Sequence, residues 1–285
     1  MSATELAAVV LAVGNPPDLP AAVESLLAQS RPVEIAVVNS GGGRAAETLA
    51  GSGVTVIDAG ERLLPGAARN AGIGATRAPY VAFLAADCMA EAGWAAARMD
   101  AHRGGAEAVA SAVTNPYPAN LAAWISHVAL FHRRMPGVPA ERALRYGASY
   151  ARALFDRFGM FREDLRSGED TEFHERLAGE VPIAWEPRVR TAHRHPTSLP
   201  RLVVDHFRRG ARSASAYLAI GGPPPLVVAF DSIRRAPRGA VTAWRAAEAG
   251  ERRWIAAASM LLPVPAIAYA AGALLPRVVR RRAQG

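Results

Sequence analysis

Lysine is absent from the 285 residues, so all 33 basic side chains are arginine. That excludes a P-loop lysine, a kinase-type lysine and a Schiff-base lysine. Cysteine occurs once, as Cys88, which excludes an internal disulfide framework and a multi-cysteine zinc site. Aromatic residues are 7% of the chain and few stand among the arginines, which argues against a stacking platform for single-stranded nucleic acid. No basic residue precedes Arg31, so the apolar stretch from Leu6 to Val13 lacks the positive flank of a secretory signal. The catalytic part is therefore expected in the cytoplasm. The glycines between Gly66 and Gly74 lack the spacing of a dinucleotide fingerprint, which argues against a nicotinamide enzyme.

What is present points to a folded α/β protein. Hydrophobic residues are 51% and charged residues 20%, enough to bury a core. The length suits one large domain with an appendage. The net charge of +8 is uneven: residues 1–200 carry −2 and residues 201–285 carry +10. A basic tail on a near-neutral body suits a polyanionic surface, either nucleic acid or anionic lipid, or is a solubilising face. The 22-residue run Trp254–Leu275 carries no charge and is long enough to cross a bilayer. Pro263 and Pro265 would kink it. Arginines stand on both sides: 252 and 253 before the run, and 277, 280, 281 and 282 after it. A single span from the cytoplasm would put the more basic flank outside, against the positive-inside tendency. A kinked element lying in the interface, or a re-entrant one, suits both flanks, and a buried helical hairpin is the alternative. The apolar run favours a membrane surface over nucleic acid as the partner of the basic tail.

Through the first hundred residues, apolar runs alternate with helical patterns. Strands are expected at Ala7–Val13, Val33–Val38, Val54–Ile57 and Tyr80–Leu84, with helices at Leu19–Ala28 (capped by Asp18), Arg44–Ala50, Pro65–Ala75 and Gly93–Arg103. This alternation predicts a mostly parallel sheet with helices on both faces. Ligands then bind off the carboxyl ends of the strands, which directs attention to Gly14-Asn15, Asn39-Ser40, Asp58–Gly60 and Ala85–Cys88. Further on, a strand is expected at Val109–Ala112, helices at Leu121–Phe131 and Arg152–Phe158, a helix opening on Glu169-Asp170, a short strand at Ile183–Trp185 and a basic helix at Leu199–Leu218. Asp87 leaves a strand end, where a lone carboxylate either binds a divalent metal or caps a turn. Glu169 and Asp170 open a helix, where acids either serve the helix dipole or supply a general base. His193 and His195 are expected in a loop after the strand at 183–185, as polar loop residues or metal ligands.

Read in order, these segments resemble the inverting glycosyltransferases of family 2. The opening Ala8–Asn15 is followed by Leu26–Ser30 and Glu34–Gly41. Pro65-Gly66-Ala67-Ala68-Arg69-Asn70-Ala71-Gly72 resembles the family's "ARN-x-G" helix, and Tyr80–Cys88 its D-x-D strand end. Tyr146–Tyr150 with Phe158–Phe161 resembles the acceptor-side segment, and Gly168-Glu169-Asp170 the "G-E-D" motif. The resemblance covers residues 7–210. It implies a GT-A (Rossmann-like) fold, a nucleotide-sugar donor, a glycan or lipid-linked acceptor, and Mg²⁺ or Mn²⁺. By the same resemblance Asp170 is the catalytic base with Glu169 supporting it. Arg69 faces the nucleotide, Asn15, Asn39 and Ser40 line the donor pocket, and Asp87 binds the metal with His193 as a candidate further ligand. The domain layout that follows is 1–215 for the transferase (1–112 donor half, 113–215 acceptor and catalytic half) and 216–285 for a basic, helical, membrane-associating region. Such a protein would work on the cytoplasmic side of the cell membrane, on an envelope glycan.

Three positions depart from the family pattern. The first D-x-D position is Ala85, Asn39-Ser40 replaces the usual acid after the second strand, and Gly14 stands where an aromatic is common. All three fall on the donor side. Two alternatives follow: a catalytically degenerate scaffold that keeps the fold, and a basic nucleic-acid-binding protein supported by the tail alone.

Overall fold

The computed structural model describes residues 4–219 and 222–275. The chain divides into two compact units, interleaved in sequence: Met1–Val113 with Leu144–His193, and Thr114–Ala143 with Arg194–Gly285.

The first unit is α/β. In chain order it runs β1 (Leu6–Val13), α1 (Leu19–Leu27), β2 (Val33–Ser40), α2 (Ala45–Thr48), β3 (Thr55–Ala59), α3 (Pro65–Gly74), β4 (Tyr80–Ala85), β5 (Cys88–Ala90), α4 (Trp94–Arg103) and β6 (Ala108–Thr114). The chain then passes through α5 (Leu121–Phe131) of the second unit. It returns with β7 (Ser149–Ala151), α6 (Ala153–Phe158), α7 (Glu169–Leu177) and β8 (Ile183–His193). The eight strands form one sheet in the order β3-β2-β1-β4-β7-β6-β8-β5. β3, β2, β1 and β4 run parallel to one another. β7 pairs antiparallel with β4 and β6, and β5 antiparallel with β8.

The apolar run of β1 is buried on both faces, as a central parallel strand requires. Leu6, Ala8 and Val10 point one way, against Leu19, Val23 and Leu26 of α1 and Trp94 and Met99 of α4. Ala7 and Val9 point the other way, toward Ile73 of α3, Leu154 and Phe155 of α6, and Phe173 and Leu177 of α7. Helices thus cover both faces, and the period of two decides which residue meets which layer. Two of the three glycines of α3, Gly66 and Gly72, are required by this packing. A Cβ on Gly72 would stand 2.1 Å from Val9 Cγ1, and one on Gly66 would stand 1.9 Å from the carbonyl oxygen of Arg162.

Arg98 of α4 is fully buried and ties β6 to the run-in of β7. Its guanidinium donates to the carbonyls of Val109 (3.0 Å) and Gly147 (3.0 Å) and to Ser149 Oγ (3.0 Å), and lies 4.2 Å from the Trp94 ring. Neutral acceptors and a π face replace water around the cation. Ser149 is also 2.8 Å from His102 Nε2, while His102 Nδ1 faces the Ala106 carbonyl at 2.6 Å. Burial, aided by the Arg98 charge, lowers the His102 pKa to about 4, so the ring is neutral. The carbonyl then requires the proton on Nδ1, and Ser149 donates to Nε2.

Three expectations are corrected by this unit. The strand expected at 183–185 runs on to His193, through Glu186, Pro187, Arg188 and Arg190, which break the apolar alternation. His193 therefore ends a strand instead of lying in a loop. Asp18 holds the N-cap position of α1 but makes no side-chain capping bond.

The second unit is helical: α5, α8 (Leu199–Ala219), α9 (Pro225–Ala246), α10 (Arg252–Leu261) and α11 (Pro263–Leu274). α8 and α11 cross closely. A Cβ on Gly210 would stand 1.9 Å from Tyr269 O, and one on Gly272 would stand 1.9 Å from Phe207 O. The apolar run at 254–275 is two helices bent by 45°, with Pro263 and Pro265 in the first turn of α11. No single described helix is long and apolar enough to cross a membrane; α10 and α11 meet that test only as a bent pair. The arginines at 277–282 lie outside the described residues. α9 was not located as a separate helix, because Pro237 sits inside it, Pro225 opens it and Pro223 and Pro224 precede it.

Candidate functional site

The sheet order reverses direction at β1. The chain lays β2 and β3 to one side and then places β4 on the other, which creates a crevice at the carboxyl ends. Registers align Val13 with Ser40, Ser40 with Ala59, and Leu11 with Ala85, so the four parallel strands end on one rim. Asn15, Asn39, Ser40, Ala85 and Asp87 all lie at or just past these ends.

The loop after β1 turns sharply there. Gly14 has φ 68° and Asn15 φ 51°, the one non-glycine residue with positive φ among those described. Asparagine tolerates that region better than most side chains. Asn39 is fully buried and holds the loops together. Its Oδ1 accepts the Asn15 amide at 2.9 Å, and its Nδ2 donates to Gly42 O at 3.0 Å and to Asp58 Oδ1 at 2.8 Å. Ser40 is likewise buried. Gly43 must be glycine, since its φ is 93° and a Cβ would stand 2.6 Å from Asn15 Cβ.

Asp58, to which the sequence assigned no role, anchors the network. Its carboxylate also accepts the amides of Ala45 (3.2 Å) and Ala46 (2.9 Å) at the start of α2. Desolvation pushes its pKa up, but these amides and Asn39 together outweigh it and hold the carboxyl below its ordinary range. Asn15 Nδ2 donates to Thr48 Oγ1 at 2.9 Å, while its Oδ1 is buried with no partner among the described residues.

A second cluster joins α3 to α7. Arg69 Nε donates to Glu169 Oε1 at 3.0 Å, and the guanidinium lies over Phe83 (4.6 Å) and Phe161 (5.3 Å). Gly168, at φ 84°, turns the chain so that Glu169 and Asp170 open α7. Glu169 points inward to the arginine, whereas Asp170 is half-buried and makes no ion pair with any described residue. One turn on, His174 Nε2 lies 2.7 Å from Tyr150 OH, and its ring stacks on Tyr146 at 5.5 Å. Tyr146 OH lies 3.1 Å from Thr171 Oγ1. Burial lowers the His174 pKa to about 4, against the pull of the Asp170 charge, so the ring is neutral at pH 7. Burial also raises the Tyr150 phenol, so it keeps its proton beside the neutral ring. His174 was missed in the sequence; its only signal was the four-residue spacing from Asp170, which puts both on one helix face.

The third cluster lies past β4. Asp87 Oδ2 is 3.6 Å from His193 Nε2, and Cys88 Sγ is 3.5 Å from Asp87 Oδ1. The ligand atoms of Asp87, Cys88 and His193 all lie within 4.8 Å of one another. A carboxylate, a thiol and an imidazole converging in this way are a fitting donor set for a divalent cation. Ala85 ends β4 with no donor to add. His195 belongs to the second unit, where its Nε2 is 3.0 Å from His127 Nδ1.

In the second unit, α5, α8, α9 and α11 enclose a cavity of about 340 Å³ whose lining includes Val128, Val228, Leu262, Ala266, Tyr269 and His206. His206 is buried, with an Nε2 that meets no partner among the described residues. Large apolar side chains stand exposed on α9, α10 and α11: Leu226, Phe230, Met260 and Ile267 are 59–76% accessible.

Comparison with known proteins agrees with this architecture. The model of glycosyl transferase family 2 matches residues 8–165, more than half of the chain, and the chain belongs to that family. The fold is similar to that of the mannosyltransferase PcManGT from Pyrobaculum calidifontis, solved in complex with GDP-Man and Mn²⁺. There the identity is 18% and the TM-score 0.57, over 95% of this chain and 87% of that one. It is also similar to the crystal structure of S. aureus TarS 1-349, at 14% identity and a TM-score of 0.50, over 85% of this chain and 70% of that one. No curated protein sequence matches the chain.

Proposed function

We propose that this glycosyltransferase is inverting and metal-dependent, and that it moves a sugar from a nucleoside-diphosphate donor to a hydroxyl of a lipid-linked or envelope glycan at the cytoplasmic face of the membrane. The observation that carries the reading is the division of labour at α7. Glu169 neutralises Arg69, and Asp170, one residue on, is half-buried, accepts the Thr171 amide on Oδ1 at 2.9 Å and forms no ion pair with a described residue. Such a carboxylate on a rigid helix start suits a general base. Asp170 accepts the proton of the acceptor hydroxyl as that oxygen bonds to the anomeric carbon. The bond from that carbon to the diphosphate oxygen breaks, and the configuration inverts. A divalent cation held by Asp87 and His193 would neutralise the charge developing on the departing diphosphate. The GDP-Man and Mn²⁺ in the Pyrobaculum structure support both the donor class and the ion class.

Donor binding tests this. Calorimetry with UDP-, GDP- and dTDP-sugars should find one nucleotide bound in the presence of Mn²⁺, and Asp87→Asn should weaken it at least about tenfold, which is ~1.4 kcal/mol. If the folded protein binds none of them, the degenerate reading gains, with Ala85 as its cause.

The membrane side of the proposal rests on the exposed apolar residues of α9–α11, the cavity beneath them and the excess of arginine after residue 200. A nucleic-acid surface would not call for exposed Phe230 and Met260. The full chain should float with anionic vesicles. Combined Phe230→Asp, Met260→Asp and Ile267→Asp substitutions should release it without changing donor binding. Retained flotation would remove these helices from the membrane contact.

A further inference from the structure

We propose that Cys88 is a metal ligand of this chain, and that its thiolate turns the site from a magnesium-type site into a zinc-type one, which selects Zn²⁺ or Co²⁺ over Mg²⁺. The proposal rests on the metal-dependent reading above and concerns which ion that reading requires.

Strand pairing supplies the geometry. β5 and β8 are antiparallel, and Cys88 lies directly opposite His193. Opposed residues in such a pair put their side chains on the same face, with Cβ atoms about 4.5–5.5 Å apart. Asp87 precedes Cys88 at the turn out of β4 and brings its carboxylate to both. Cys88 Sγ lies 3.5 Å from Asp87 Oδ1 and His193 Nε2 3.6 Å from Asp87 Oδ2, so the carboxylate faces both side chains. One ligand atom from each of the three residues lies within 4.8 Å of the others, while ligands at about 2.0–2.3 Å from a tetrahedral zinc stand roughly 3.3–3.8 Å apart, so small side-chain shifts close the set on one ion.

Donor chemistry supplies the selectivity. Mg²⁺ demands oxygen ligands in octahedral geometry and keeps several waters. Here two of the three donors are sulfur and nitrogen, and both residues are buried, Cys88 at 8% and His193 at 9% exposure. The strand position that would add a second carboxylate is Ala85. Thiolate, imidazole and one carboxylate are a zinc-type set, and three protein ligands leave a fourth position open for a diphosphate oxygen. The alanine at 85 and the cysteine at 88 thus act together: one hard donor is missing and one soft donor is present.

The test is Co²⁺ titration of the reduced full-length protein, with and without added UDP or GDP, followed by absorption. Because Cys88 is the only cysteine, a near-ultraviolet thiolate-to-cobalt charge-transfer band in the wild type identifies it as the ligand without any variant. We expect that band together with intense tetrahedral visible bands. Stoichiometric Zn²⁺ should displace both, and a hundredfold excess of Mg²⁺ should displace neither. Cys88→Ser should lose the charge-transfer band and bind Zn²⁺ more than tenfold more weakly. Cobalt binding without the band overturns the role of Cys88 while the metal-dependent reading stands. Displacement by Mg²⁺ overturns the selectivity. If no metal binds under any condition, the metal-dependent reading itself fails, and this proposal with it.

Discussion

Asp170→Asn is expected to lower kcat by about 10²–10⁴-fold, the usual worth of a positioned general base, and to leave donor affinity and fold essentially unchanged. The expectation follows from where the charge sits. Asp170 makes no ion pair with a described residue and is half-buried, so an isosteric amide breaks no bridge and buries no orphan charge. Losing one negative charge at the first turn of α7 costs only about 0.3–1 kcal/mol through the helix dipole. The amide, however, cannot take a proton from the acceptor hydroxyl. Steady-state kinetics with matched calorimetry of the donor separates these quantities. A variant with more than about a tenth of wild-type kcat would move the base elsewhere. Loss of donor binding in parallel with kcat would make Asp170 a binding residue. The neighbouring His174 gives an internal control. Its neutral ring, Tyr150 and Tyr146 frame the same helix face without a charge that could substitute for the carboxylate.

How much of this was legible in the sequence depended on the range of the interaction involved. The parallel half of the sheet was readable because β1, β2 and β4 are continuous apolar runs bounded by turn residues, a local signal. Even the prolines at 263 and 265 announced the bend between α10 and α11. The three-residue strands β5 and β7 were not readable. They exist only because a partner strand lies beside them, and three residues carry no period. β8 failed for a different reason: Glu186, Pro187 and Arg188 disguise a strand whose far end brings His193 to Asp87. Asp170 and Asp87 stood out because each follows a recognisable element boundary. Asp58 stood out only as a strand-end position, without a role, and His174 not at all, since their importance lies in what the fold sets against them: the amides of Ala45 and Ala46 for one, Tyr150 and Tyr146 for the other. In the sequence Cys88 served only to exclude disulfides and a multi-cysteine site, and only the β5–β8 register makes it a neighbour of a histidine 105 positions away by number.

Arg69→Met is expected to destabilise the first unit by about 3 kcal/mol, and the double variant Arg69→Met with Glu169→Gln to recover most of that without recovering transfer. The pair is largely withdrawn from water, with side-chain exposures of 16% for Arg69 and 7% for Glu169. Removing one partner of such a pair leaves an uncompensated buried charge, which costs about 3–5 kcal/mol, and the residual exposure of Arg69 favours the lower end. Methionine keeps much of the contact with Phe83 and Phe161, so the loss reports charge more than volume. Converting Glu169 to the neutral amide then removes the charge that had no partner. Transfer stays low in the double variant because the tie between α3 and α7, which directs Glu169 inward beside Asp170, is gone. Denaturant unfolding of the wild type, both single variants and the double variant closes the cycle. A cost below about 1 kcal/mol for Arg69→Met would show that aromatic packing joins the two helices with little help from the ion pair. The free carboxylate at Asp170 would then need another explanation than the capture of its neighbour.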